Sequence, residues 1–189
     1  MSRTNSIVTI GFLGFLALCV SAGLSLAEEN IFQIDSAIRI SEPDGANFRL
    51  LFRPDIGLPD TLMTIDRATL ELTVSPASDD STFAAIRVCP IIVNWNQDDA
   101  AWEAPWATPG GDFDNVNYAE YAVNLTGSQT INIDVTDLCM RWADGQLPYF
   151  GFLIGVSESS LAPVQFLSGS DGNGPWGTLR ISYTSIHEE

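Results

Sequence analysis

"RATLELTV", residues 67–74, decides the fold. Ala68, Leu70, Leu72 and Val74 alternate with Thr69, Glu71 and Thr73. In an extended chain successive side chains point to opposite faces, so period two predicts a half-buried antiparallel strand. The same signal spreads outward. On the N-terminal side "IFQI", "AIRIS" and "NFRLLFR" are separated by the turn cluster Glu42-Pro43-Asp44-Gly45, and Pro54-Asp55 with Gly57 and Pro59 breaks the last of them. On the C-terminal side "YAEYAVNL" and "TINIDV" flank Thr126-Gly127, and "YFGFLIGV", "APVQFLS" and "TLRISY" follow. "TFAAIRVCPIIVNW", residues 82–95, reads as one long apolar strand with Pro90 inside it. Proline removes a ladder donor, which predicts a bulge, an edge or a bend there.

One helical signal interrupts the strands, in "DVTDLCMRWADG". Thr136 is the expected N-cap, Asp137 suits the positive end of the helix dipole, and Gly145 supplies the stop. Leu138 and Trp142, four apart, share the face to be buried. About nine strands with one short helix around residues 136–143 and a turn every ten or so residues predict an all-β fold: a single antiparallel β-sandwich of jelly-roll type. No repeat, linker or low-complexity stretch divides it.

Residues 7–20 are almost continuously apolar, Arg3 precedes them, and Ser25-Leu26-Ala27 ends in small residues. That reads as a signal peptide over residues 1–27 with cleavage before Glu28, which predicts a secreted or cell-surface domain over 28–189. A retained membrane anchor is the alternative, and a lipoprotein signal at Cys19 is disfavoured by the bulky Leu18. No second apolar span follows, so no membrane insertion is expected after cleavage. Beyond Ala27, seven arginines stand against 24 carboxylates, a formal −17, and there is no lysine. Such a field repels phosphate backbones and anionic lipid, which excludes nucleic acid as a partner. Processing leaves Cys89 and Cys139. An even pair in an exported chain predicts a disulfide, worth roughly 4 kcal/mol on the chain-entropy account; two buried free thiols are the alternative.

Four stretches in order resemble the DNRLRE-type domain. "RLLFRPDIGLP" leading into "IDRATLELTV" resembles its opening, and "WATPGGDFD" resembles the end of its Trp-rich loop. "INIDVTDLCMRWADGQLPYFGFLI" is similar to its "DVT-x-L-x-x-W…G…GF-x-L" run, and "FLSGSDGNGPWGTLRISY" to its C-terminal strand. The similarity covers roughly Ile34 to Tyr183. It implies a jelly-roll sandwich of secreted bacterial and archaeal proteins, with carbohydrate-binding modules among the relatives. Gln97, Tyr149-Phe150 and Gly177 depart from that pattern.

Chemistry concentrates in "WNQDDAAWEAPWATPGGDFDN", residues 95–115, with three tryptophans and five carboxylates. Asp98, Asp99, Glu103, Asp112 and Asp114 are the hard oxygen ligands that a structural Ca²⁺ would take, although their spacing is not that of an EF-hand. "SGSDGNG" (168–174) offers Asp171 and Asn173, which read first as turn formers. Trp102, Trp106 and Trp176 sit beside turn residues, with Tyr149 a fourth; such rings stack on the apolar face of a sugar. Trp95 and Trp142 follow apolar periodicity and belong to the core. With His187 the single histidine, no nucleophile–base pair can be assembled, so no enzyme activity is expected. Asn124-Leu125-Thr126 is a glycosylation sequon, expected to be empty. The reading is a secreted, acidic, non-catalytic carbohydrate-binding protein for an extracellular polysaccharide, with a neutral glycan fitting the charge better. The rival is a structural or adhesive envelope protein that binds a protein partner and no sugar. A diverged hydrolase would need two carboxylates facing across a cleft.

Overall fold

The computed structural model describes residues 27–44, 47–57, 63–77, 82–157, 164–168 and 174–185. The expectations about residues 1–26, Asp171, Asn173 and His187 lie outside that set. Within it, ten strands and one helix follow in order: β1 (Ala27–Gln33), β2 (Ile38–Ser41), β3 (Phe48–Phe52), β4 (Met63–Pro76), β5 (Thr82–Pro90), β6 (Ala119–Leu125), β7 (Gln129–Asp134), α1 (Thr136–Ala143), β8 (Phe152–Val156), β9 (Val164–Leu167) and β10 (Gly177–Ser185). The first sheet runs β1-β10-β4-β7 and the second β2-β3-β8-β5-β6, antiparallel throughout. β9 pairs with β4 at residues 73–76, where Thr73 and Val74 already pair with β7. A residue has only two ladder sides, so β9 lies on the β10 side.

The alternation of "RATLELTV" is realised on β4. Ala68, Leu70, Leu72 and Val74 are buried, and Thr69, Glu71 and Thr73 are half-exposed on the other face. Ile131, Ile133, Leu179 and Ile181 complete the inner face of the first sheet. They meet Leu50, Phe52, Ile86, Val88, Phe152 and Ile154 from the second. Burying each such side chain stabilises by about 1.5–3 kcal/mol, which is why the two sheets close on one core.

The second sheet differs from the first in having an apolar outer face as well. Ile38, Ile40, Leu51, Leu153 and Ile91 form a separate cluster there, with Trp95 and Trp106 laid on top. That explains why residues 83–92 are apolar save for Arg87: a strand covered on both sides has little polar face to alternate with. Pro90 is the last residue of β5. The β6 ladder has already stopped at Val88↔Ala119, so the missing N–H leaves no bond unmade.

Leu138 and Trp142 are both buried from α1, as their spacing requires, and Gly145 turns the chain out of the helix at φ +67°. Thr136 is not the cap. It is the first helical residue, Val135 precedes it without a side-chain cap, and the hydroxyl is spent elsewhere. It accepts from Ala68 N at 2.9 Å and donates to Asp134 at 2.6 Å, tying the helix start to β4. Among the described residues no helix is long and apolar enough to cross a membrane.

The disulfide is a correction. Cys89 and Cys139 are both free and buried. Cys139 sits in the core between the sheets, whereas Cys89 alternates with Val88 and faces the other side of the second sheet. A sheet thus lies between the thiols, and no rotamer brings them to bonding geometry. Burial pushes each thiol up to about 12. Both should stay silent to a thiol reagent in the native protein and both should react after denaturation; a bridged pair would give no reaction in either state.

Candidate functional site

Residues 91–118 fold back over the outer face of the second sheet, and short-range chemistry fixes the path. The loop is zipped to the end of β5 by an Ile91↔Phe113 bridge, by Ile92 N to Asp112 O at 3.1 Å, and by Asp114 N to Pro90 O at 3.0 Å. Pro109-Gly110-Gly111 turns it down onto the sheet. Gly110 (φ +90°) and Gly111 (φ +108°) hold backbone conformations that side chains avoid. A Cβ on Gly111 would stand 2.8 Å from Leu153, and one on Gly110 would stand 2.7 Å from the Arg49 guanidinium. The two glycines let the backbone lie directly on the strands.

The loop tryptophans divide by role. Trp95 donates its indole N–H to Phe150 O and Trp106 to Ala101 O, each at 2.7 Å, and both rings are 7% exposed. Their N–H groups are satisfied and their faces packed, so they are core groups of the outer cluster. For Trp106 this replaces the expected sugar-stacking role; for Trp95 it is the expected one. Trp102 stays half-exposed at the rim. Tyr149 is likewise taken up by packing: its ring meets Trp142 edge-on at 4.8 Å and its hydroxyl donates to Pro54 O, with burial raising its pKa. Trp176 is half-exposed and packs on the main core, its backbone N–H bonded to Ile34 O at 2.7 Å. These three expected ligand residues outside Trp106 are not brought together.

Nor are the five carboxylates. Asp98, Asp99 and Glu103 are exposed along the loop. Asp112 accepts from Ala107 N at 2.7 Å and Thr108 N at 2.9 Å; Asp114 accepts from Val116 N, Asn117 N and the Asn117 side chain. Among the described residues no three His, Cys, Asp or Glu side chains gather to hold a metal ion. The Asn117 side-chain bond, joined by two backbone amides, holds the Asp114 carboxyl below its ordinary value. The native pKa being the lower one, the stabilisation is fully present above the ordinary carboxylate range and is lost as pH falls through the native value. Asp114→Ala should therefore lower the neutral melting temperature and flatten its decline on acidification.

What the strand register does assemble is a row of arginines. Arg49 of β3, Gly155 of β8 and Arg87 of β5 lie side by side, since Leu50 pairs with Ile154 and Arg87 with Gly155. All face the loop side, and both guanidinium groups act on the Cys89 thiol from that side. Arg49 lies between two rings, 5.1 Å from the centroid of Trp102 and 4.9 Å from that of Phe113, and donates to Gly110 O at 2.5 Å. Burial lowers its pKa. Arg87 lies 4.1 Å over the Tyr118 ring and is bonded to Glu120 at 3.0 Å and Ser157 at 3.3 Å. Tyr118 itself is 39% exposed. Sequence reasoning passed over Arg49, Arg87, Tyr118 and Gly155. One signal was available: an arginine inside the apolar run "AAIRVCPII" needs a partner on whichever face it takes. Comparison of the chain with family models and with curated proteins finds no match.

Proposed function

We propose that the protein is a secreted, non-catalytic carbohydrate-binding module whose ligand face is the outer side of the second sheet. One observation carries the reading. Two arginine–aromatic pairs, Arg49 with Trp102 and Arg87 with Tyr118, stand on either side of a glycine that contributes no side chain. Exposed ring surface suits the apolar face of a pyranose, and guanidinium N–H groups suit its oxygens. The strand order β1-β10-β4-β7 facing β2-β3-β8-β5-β6 supports the jelly-roll form.

The adhesive alternative has one observation in its favour. β1 is a terminal strand, and its Ile31 is 47% exposed, so strand addition to that edge is the route a protein partner would take. Affinity electrophoresis through gels cast with single polysaccharides separates the two. Retardation on a glycan, lost in Trp102→Ala but kept when Ile31 is replaced by Thr, is the expected result. Absence of retardation on every polymer moves the function to the β1 edge. Repeating each gel with chelator tests whether calcium takes part.

A further inference from the structure

We propose that the outer face of the first sheet forms its own covalent cross-link, an ester between the Thr178 hydroxyl and the Gln33 carboxamide that joins β10 to β1. It stands apart from the ligand face, which is on the other sheet. The register puts the groups in one row. Gln33 pairs with Thr178 and Thr178 with Glu71, so carboxamide, hydroxyl and carboxylate stand side by side across three strands. Ile34 N donates to Gly177 O at 2.9 Å, which makes Gln33↔Thr178 the non-hydrogen-bonded kind of pair, in which opposed side chains stand closest. The Thr178 hydroxyl meets Gln33 Oε1 at 3.4 Å, one bond from the carbon it would attack. Thr178 is only 7% exposed although it lies between an exposed Gln33 and a half-exposed Glu71. A short hydroxyl in that position is shielded from water by its two longer neighbours.

The state of β1 gives such a link a reason. Every residue of the strand but Phe32 is exposed, so β1 is held by its ladder to β10 and by little apolar burial. Both described cysteines are free, so no disulfide between them ties the strands instead. The step is a single intramolecular acyl transfer. Glu71 takes the hydroxyl proton as Thr178 Oγ1 attacks Gln33 Cδ. The C–O bond forms, the C–N bond breaks, and the same carboxyl returns the proton to the departing ammonia. One ester and one ammonia replace one hydroxyl and one carboxamide, with no change of oxidation state and no co-reactant. Arg180, the next residue of β10 on that face, supplies a cation toward which the oxyanion develops. Holding the two groups in contact replaces a bimolecular encounter with an intramolecular one. Ammonia then leaves for the solvent and is protonated there, which draws the exchange forward. Burial of Thr178 keeps water from the ester once it is made.

Mass spectrometry of the purified protein tests this. Trypsin cuts after Arg39, Arg141 and Arg180, so Gln33 and Thr178 fall in different peptides unless the ester joins them. The expected result is an intact protein lighter than its sequence by one ammonia. The peptides ending at Arg39 and Arg180 should then travel as one species, which hydroxylamine separates. Thr178→Val and Gln33→Glu, both close in shape to the wild type, should each show the full mass of their sequence and separate peptides. Thr178→Ser keeps a hydroxyl and should keep the link, which a merely structural threonine would not require. Glu71→Gln should leave most chains unlinked, since a positioned general base contributes about a hundredfold or more in rate. Separate peptides at full mass in the wild type overturn the proposal. An ammonia loss that persists in Thr178→Val overturns it as well, because the loss then belongs to another residue. Linkage as complete in Glu71→Gln as in the wild type overturns the role given to Glu71.

Discussion

Trp106→Ala is expected to lower the melting temperature by roughly 6–20 °C, the loss of about 3–5 kcal/mol in a domain of this size. Trp106 is one of the two buried tryptophans that cover the second sheet's outer face, packed in one cluster with Ile40, Leu51, Ile91 and Leu153. Truncation removes that contact, leaves a cavity the loop can only partly close, and strips Ala101 O of its hydrogen bond from the indole. It also unseats Pro109-Gly110-Gly111, because Gly111 lies against both Leu153 and the Trp106 ring. Trp102→Ala should cost much less, since that ring is half-exposed at the rim. Thermal melts of the two variants together separate the roles. A Trp106 variant that melts like wild type would mean that the ring is a ligand platform and not part of a core.

Gly151→Ala is expected to be of similar or greater severity. Gly151 holds φ +90° at the entry to β8, where its carbonyl accepts from Ile91 N. A Cβ there would stand 2.3 Å from Phe52 O and 2.9 Å from the Arg53 backbone. Backbone strain of about 1–3 kcal/mol and overpacking of about 1–3 kcal/mol act together, a large part of the 5–15 kcal/mol that holds a typical domain folded. Two other glycines calibrate the effect. Gly145 has φ +67° and nothing within 4 Å, so Gly145→Ala isolates the strain; Gly127 has neither constraint, and Gly127→Ala should be near neutral. Urea midpoints should fall in the order Gly127, Gly145, Gly151, with the last lowest. If the Gly151 and Gly127 variants unfold together, the close approach of β8 to the end of β3 does not exist.

How far the sequence reaches depends on whether a signal is local. The alternation on β4 and the Leu138–Trp142 spacing on α1 are local, and the fold bears them out. Thr136 shows the limit: its hydroxyl has the right position for a cap, but β4 competes for it across 68 residues. The cysteines fail in the same way. Spacing says nothing about which face of a sheet each thiol takes, and one residue decides between Val88 inside and Cys89 outside. The loop is the instructive case. Its tryptophans and aspartates are compatible with stacking and metal binding, yet Trp106 becomes cover and Asp112 and Asp114 become loop staples, because backbone amides in a long loop must find acceptors. The arginine row is invisible in sequence, since residues 49, 87 and 155 meet only through pairing of three strands.

The central claim is that ligand binds on the outer side of the second sheet, and hydrogen exchange with and without bound polysaccharide tests it most directly. Slower exchange confined to residues 85–91, 100–118 and 153–157 is the result this account predicts. Protection instead along β1, or on β4 and β7 of the first sheet, would contradict it and place the working surface on the opposite side of the molecule.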